Sequence, residues 1–359
     1  MPLWPDSRLL DLLQVEHAII QAPMAGSTTP ALAAAVSNAG GMGSLGCAMM
    51  DPGAVHGQVT QLRSKTNRAF NLNFFCHQPP GEDALKNARA VQLLQPFYDE
   101  YCLGEVPAVQ ASNFPFDAAM LDLMLELRPP VVSFHFGAPE AALLAPLRAA
   151  GIVVLSSATC AREARDLQAM GVDAVIAQGF EAGGHRGHFA ISYEASCIGT
   201  MALVPQIVDA VTIPVIAAGG IADGRGIAAA LMLGASGVQL GTAFMSSDEA
   251  SVAAVHRQAI ANASEEDTRM TRAFSGRPAR GIRNRYIDAM AAVEGELPDF
   301  PLMNTLTKPL RAASQNSDSG DLVSLYAGQA LTLNRSMPAA QLLETLIDET
   351  GAALTRNQA

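Results

Sequence analysis

The feature that most constrains this chain is a rhythm that repeats from His17 to about Phe244: a short apolar run, a glycine or polar cluster, then a helical pattern. Such alternation builds a parallel sheet covered by helices. Eight runs read as strands: His17–Met24, Met42–Cys47, Ala69–Cys76, Val131–Gly137, Val153–Ser157, Ala174–Gln178, Val215–Ala218 and Gly237–Thr242. Eight strand–helix units in about 230–250 residues is the size of a (β/α)8 TIM barrel. The intervening patterns carry helix punctuation. Pro30–Ala39 starts after Thr29 and stops at Gly40-Gly41; Pro139–Ala150 stops at Gly151; Cys160–Met170, with Thr159 as N-cap, stops at Gly171; Asp223–Leu233 stops at Gly234. Composition agrees: 49% hydrophobic and only 16% charged residues suit strands buried on both faces.

The rhythm breaks twice. Gln78–Pro130 is too long for one helix and predicts an extra helix over the barrel mouth. Ser246–Ser336, rich in arginine and then polar, predicts an appended, mostly helical lid segment, after which amphipathic Met337–Leu354 packs back as a closing helix. The expected division is a barrel of residues 1–245 plus 337–359 and an appended segment of residues 246–336.

A net charge of -11 argues against nucleic acid, and no basic run suits an anionic membrane. The five widely spaced cysteines read as reduced thiols of a cytoplasmic protein. Met1–Glu16 lacks the pattern of a secretion signal, and no charge-free stretch reaches about 20 residues. The seven histidines form no His-x-x-x-His pair, so no metal site is expected.

In such a barrel the chemistry sits at the C-terminal strand ends. The seventh and eighth strands end in Gly219-Gly220 and Gln239-Leu240-Gly241-Thr242, where glycines let backbone N–H groups approach a phosphate. The sixth ends in Gln178, followed by Glu181-Ala182-Gly183-Gly184-His185-Arg186-Gly187. Gln178 suits the edge of a heterocycle, and His185 titrates near neutrality. Arg186 reads either as an anion partner or as the mate of a nearby carboxylate. The first strand ends in Pro23-Met24. In the third, Asn71 and Asn73 share a side by period two, and the fourth brings His135. With no metal and no evident nucleophile, an organic cofactor bearing a phosphate is the expected carrier of the chemistry.

QAPMAGSTTPALAAAVSNAGGMGSLG (Gln21–Gly46), NLNFFCHQPP (Asn71–Pro80), SFHFG (Ser133–Gly137) and AQGFEAGGHRG (Ala177–Gly187) closely resemble class I nitronate monooxygenases, once called 2-nitropropane dioxygenases, as do AAGGIADGRG, QLGT, PLMNTLTKPL (Pro301–Leu310) and YAGQ (Tyr326–Gln329). The resemblance spans nearly the whole chain. It implies an FMN-binding barrel that oxidises small anionic alkyl nitronates, typically propionate 3-nitronate, with O2 to a carbonyl compound and nitrite through a flavin semiquinone. Carried over by motif, the FMN contacts are Pro23, Met24, Asn71, Gln178, Gly183, Gly220, Gln239, Leu240, Gly241 and Thr242. His185 is the catalytic histidine, as base or hydrogen-bond donor. His135 and Lys308 are the substrate contacts, with Lys308 attracting the anion. Two positions depart from the family pattern: Phe300 stands where Tyr is expected and Tyr326 where Trp is usual. Other readings are an FMN-dependent NAD(P)H reductase acting on an enoyl thioester or quinone, and a flavin-free phosphate-binding isomerase or binder.

Overall fold

The computed structural model describes residues 3–110 and 115–355. All eight expected strands form. They are β1 (Ile19–Gln21), β2 (Gly43–Gly46), β3 (Phe70–Phe75), β4 (Val131–His135), β5 (Val153–Ala158), β6 (Ala174–Gln178), β8 (Val215–Ala218) and β9 (Gly237–Leu240), with β7 (Gly184–His185) a two-residue strand outside the barrel. The barrel strands pair in parallel in the order β1-β9-β8-β6-β5-β4-β3-β2. A parallel bridge from Ile20 to Met42 closes the ring, with Gln21 N donating to Met42 O at 2.9 Å. The strands are shorter than the apolar runs. β1 ends before Pro23, which has no N–H to give a ladder.

Local chemistry sets the wall helices. Thr29 Oγ1 accepts from Leu32 N at 3.0 Å and starts Pro30–Asn38; Asp223 accepts from Arg225 N and Gly226 N and starts Gly224–Met232. Ala161–Met170 departs from expectation. Its N-cap is Cys160, whose Sγ accepts from Glu163 N at 3.5 Å, not Thr159. Thr159 instead donates through N and Oγ1 to the Glu163 carboxylate, at 2.7 and 2.6 Å. The helix stops at Gly171, whose φ of +92° a side chain would resist.

Helix Ala339–Thr355 packs against Gly224–Met232 and Pro30–Asn38, the helices that follow β8 and β1. It therefore takes the eighth place in the helical wall, and the appended segment is inserted between the last strand and its helix.

That segment is less helical than expected. Thr268–Thr271 (β10) and Ala279–Ile282 (β11) pair antiparallel, and β11 also pairs with β7. Helix Leu302–Asn316 completes it together with shorter helical turns. The extra helix expected within Gln78–Pro130 is Ala84–Glu100, and a second, Ala118–Leu127, follows it. Ala84–Glu100 buries Ala90, Leu94 and Tyr98 against Phe274, Tyr286, Met303 and Leu306 of the appended segment. Tyr98 Oη donates to Leu306 O at 2.7 Å. Each fully buried aliphatic side chain contributes about 1.5–3 kcal/mol, so this second core fixes the segment over the mouth. Among the described residues no helix is long and apolar enough to cross a membrane.

Candidate active site

A cavity of about 710 Å³ opens at the C-terminal strand ends. Pro23, Met24, Gln178, Gly183, His185, Gly220, Gln239, Gly241 and Thr242 line it, as does His135. Three expected contacts do not. Asn71 is fully buried beneath the cavity, its Nδ2 donating to Ser44 Oγ at 3.1 Å. Asn73, two residues nearer the mouth, lines the cavity in its place, one strand repeat of about 6.6 Å higher. Leu240 belongs to the barrel core, because alternation turns it away from the side that Gln239 presents. Lys308 is solvent-exposed and lines nothing; the cation that reaches the cavity is Arg311, three residues on.

The loop carrying His185 is held from below by side chains that sequence reasoning had aimed at ligands. Gln178 Nε2 donates to His185 O at 2.9 Å while its Oε1 accepts from Gly187 N at 2.7 Å. His135 Nε2 also faces His185 O, at 3.1 Å, and Nδ1 lies 2.6 Å from Ser157 Oγ. A carbonyl only accepts, so Nε2 carries the proton and Nδ1 accepts from the Ser157 hydroxyl. Neither His135 nitrogen is left for a substrate. Gln178 and His135 therefore fix the backbone of His185. Gly187 permits the arrangement: a Cβ there would meet His135 Cε1 at 2.6 Å. Arg186 is buried beneath the loop and donates to the Gln178 and Ser196 carbonyls, and among the described residues it forms no ion pair with a carboxylate. Glu163 braces the far end, accepting from Phe189 N and Ala190 N at 2.6 and 3.0 Å.

From above, β11 pairs with Gly184 and His185, and Arg280 stacks on Phe180 at 4.6 Å. His185 Nε2 meets Ser275 Oγ at 2.8 Å. Its Nδ1 makes no hydrogen bond among the described residues. Rings of Phe300, Tyr326, Phe136 and Phe75 surround the imidazole at 5.4, 5.5, 5.9 and 6.3 Å. Burial, followed by the neighbouring His135 ring and the Arg277 and Arg311 cations, holds the His185 pKa down at about 3. Burial likewise lowers His135 to about 4. Both rings are neutral at pH 7.

Sequence reasoning missed Ser275, Asn304 and Arg311. Asn304 and Arg311 are seven apart and so share a helix face, which was the available signal. At the other end, Gly219 and Gly220, at φ of +106° and +72°, line the cavity beside Thr242. Gln239 Oε1 is buried without a hydrogen-bond partner.

The sequence profile of the family described as nitronate monooxygenase matches residues 6–349. The chain belongs to this family. A nitronate monooxygenase of Pseudomonas aeruginosa is 45% identical over 349 residues, covering 95% of this chain and 98% of the relative. A solved structure of nitroalkane oxidase from Streptomyces ansochromogenes has a TM-score of 0.89 at 39% identity, covering 97% of this chain and 99% of its own. FabK from Thermotoga maritima has a TM-score of 0.75 at 32% identity, covering 98% of both chains. As a nitronate monooxygenase family member, the chain is an oxidoreductase on a TIM barrel, and Phe300 and Tyr326 both fall on the ring cage around His185.

Proposed function

We propose that this nitronate monooxygenase family member binds FMN and oxidises small alkyl nitronates with O2, giving a carbonyl compound and nitrite. The observation that carries the reading is the charge of the cavity. In a chain of net charge -11, its described lining contains no carboxylate, and its one permanently charged side chain is Arg311. Such a wall favours an anion.

The residues present fit FMN. Gly219, Gly220 and Thr242 would hold the phosphate, Gln239 has an acceptor without a donor, and Pro23, Met24 and Gly183 would flank the ring. Once bound, FMN supplies the acceptor for electrons leaving the substrate. The chain supplies position. Gln178 and His135 hold the His185 carbonyl, and with the Ser275 hydroxyl donating to Nε2 the ring proton sits on Nδ1, which would donate it to a nitronate oxygen. The Phe75, Phe136 and Phe300 rings keep water from that contact. A nitronate has already lost its α-proton, so a neutral His185 serves as a hydrogen-bonding partner; a neutral nitroalkane requires it as base.

O2 uptake with propionate 3-nitronate, beside an NADH control, tests the reading. Nitronate-dependent uptake with nitrite release is expected. Rapid anaerobic bleaching of the flavin by NADH would instead indicate a reductase, and protein that shows no flavin spectrum after added FMN would remove the cofactor.

A further inference from the structure

Arg311 has no counter-charge. Among the described residues no carboxylate lies within ion-pairing distance of it, although the guanidinium lines the cavity. Its Nη2 is anchored by donating to Asn304 O at 3.1 Å and to Asn304 Oδ1 at 2.7 Å. Its Nη1 makes one long contact, 3.4 Å to Ser324 Oγ, and Nε is sealed away with no partner. Burial pulls its pKa down, the signature of a charge whose stabilisation within the protein is incomplete. Unpaired buried cations are costly, and a fork fixed at one end is preorganised for a planar anion.

The place of Arg311 separates it from the phosphate cradle. Helix Leu302–Asn316 packs against Ala84–Glu100, which follows β3, and Phe300 just before it contacts Phe75 of β3 and Phe136 just after β4, at 6.1 and 5.6 Å. The glycine cradle follows β8, four places from β3 round a ring of eight. The cavity therefore has two anion-receptive regions, the glycine cradle after β8 and Arg311 on the appended helix, and His185 contacts Phe300, which precedes that helix, at 5.4 Å.

We propose that Arg311 is the specificity-determining residue that receives a carboxylate on the substrate tail, remote from the nitronate group. The inference rests on the nitronate reading above. A carboxylate accepts two parallel N–H bonds from a guanidinium edge, and here it would also neutralise the unpaired charge. An uncharged tail leaves the cation unsatisfied.

The test compares wild type with Arg311→Gln and Arg311→Lys, as purified, by calorimetric binding of succinate and butyrate, and by kcat and KM with propionate 3-nitronate and with propyl-1-nitronate. Wild type should bind succinate more tightly than butyrate. Arg311→Gln should lose that preference and raise KM for propionate 3-nitronate roughly ten- to hundredfold, with kcat changed less than about threefold and KM for the tail-less nitronate, which loses only the general positive field, raised several-fold less. Arg311→Lys, which keeps charge but loses the planar fork, should fall between and covers the case of a glutamine variant that does not fold. No succinate preference in wild type, or equal losses on both nitronates, overturns the proposal. Absence of turnover with any nitronate removes the function reading instead, and the succinate–butyrate comparison still decides the role of Arg311.

Discussion

Lowering the pH from 7.5 to 5.5 should cost this protein several kcal/mol of stability, and buried histidines set the size. Burial lowers His135, His188 and His256 to about 4 and His185 to about 3, from an ordinary value of 6.5. In this window the unfolded chain takes up protons at these positions and the native protein does not, so stability falls as pH falls below 6.5. One pH unit below 6.5, each such histidine has removed about 1.4 kcal/mol, and the four together about 5 kcal/mol, the half-buried His188 counting for less because solvent screens it. That is a large share of a typical total of about 5–15 kcal/mol. Depressed carboxylates such as Asp6, at about 2, titrate in the unfolded state near 3.8 and contribute little at pH 5.5. Urea unfolding at half-unit pH steps measures the slope. His256 bonds Tyr326 O through Nε2 at 3.1 Å, so His256→Gln should reduce the slope by about a quarter. Stability that is flat between pH 7.5 and 5.5, or a slope unchanged in His256→Gln, refutes the account.

Other expectations concern the His185 loop. His185→Asn should retain nitronate turnover within about tenfold and abolish turnover of neutral nitroalkanes, since an amide still hydrogen-bonds but is not a base; equal loss on both substrate forms, read by O2 uptake, counts against a base role. Gly187→Ala drives a Cβ into His135 Cε1 at 2.6 Å and Ser157 Oγ at 3.0 Å, so it should destabilise by about 1–3 kcal/mol and lower activity beyond that loss, as thermal unfolding beside steady-state rates will show.

The barrel was legible because parallel strands covered on both faces must be apolar runs, and the glycines after them are forced by the turn. The small sheet was not. Thr268–Thr271 carries a polar or charged residue at three of its four positions, and its far partner is the two-residue Gly184–His185, inside a loop whose glycines disfavour regular structure. Period two gave the inward side of Asn71 and Asn73 but not their depth, so the buried one was chosen. His135 and Gln178 were recognised as important; which atoms would take their hydrogen bonds depends on a loop folding back onto them, and a linear pattern does not encode that. Lys308 lies inside the matched string Pro301–Leu310 and Arg311 one residue beyond it, so the resemblance pointed to the exposed lysine and not to the arginine that lines the cavity.

The eighth wall helix, Ala339–Thr355, is separated from its strand by the whole appended segment. As the chain emerges during synthesis, even the last barrel strand, ending at Leu240, is made about a hundred residues before this helix begins at Ala339. Until it arrives, the apolar faces of Pro30–Asn38 and Gly224–Met232 stand open as an unfilled seam, and such exposed surface is where nascent chains associate wrongly. The roof over the active site must therefore be threaded before the barrel can be sealed, which makes the order of biosynthesis itself a source of cooperativity between the catalytic cover and the scaffold.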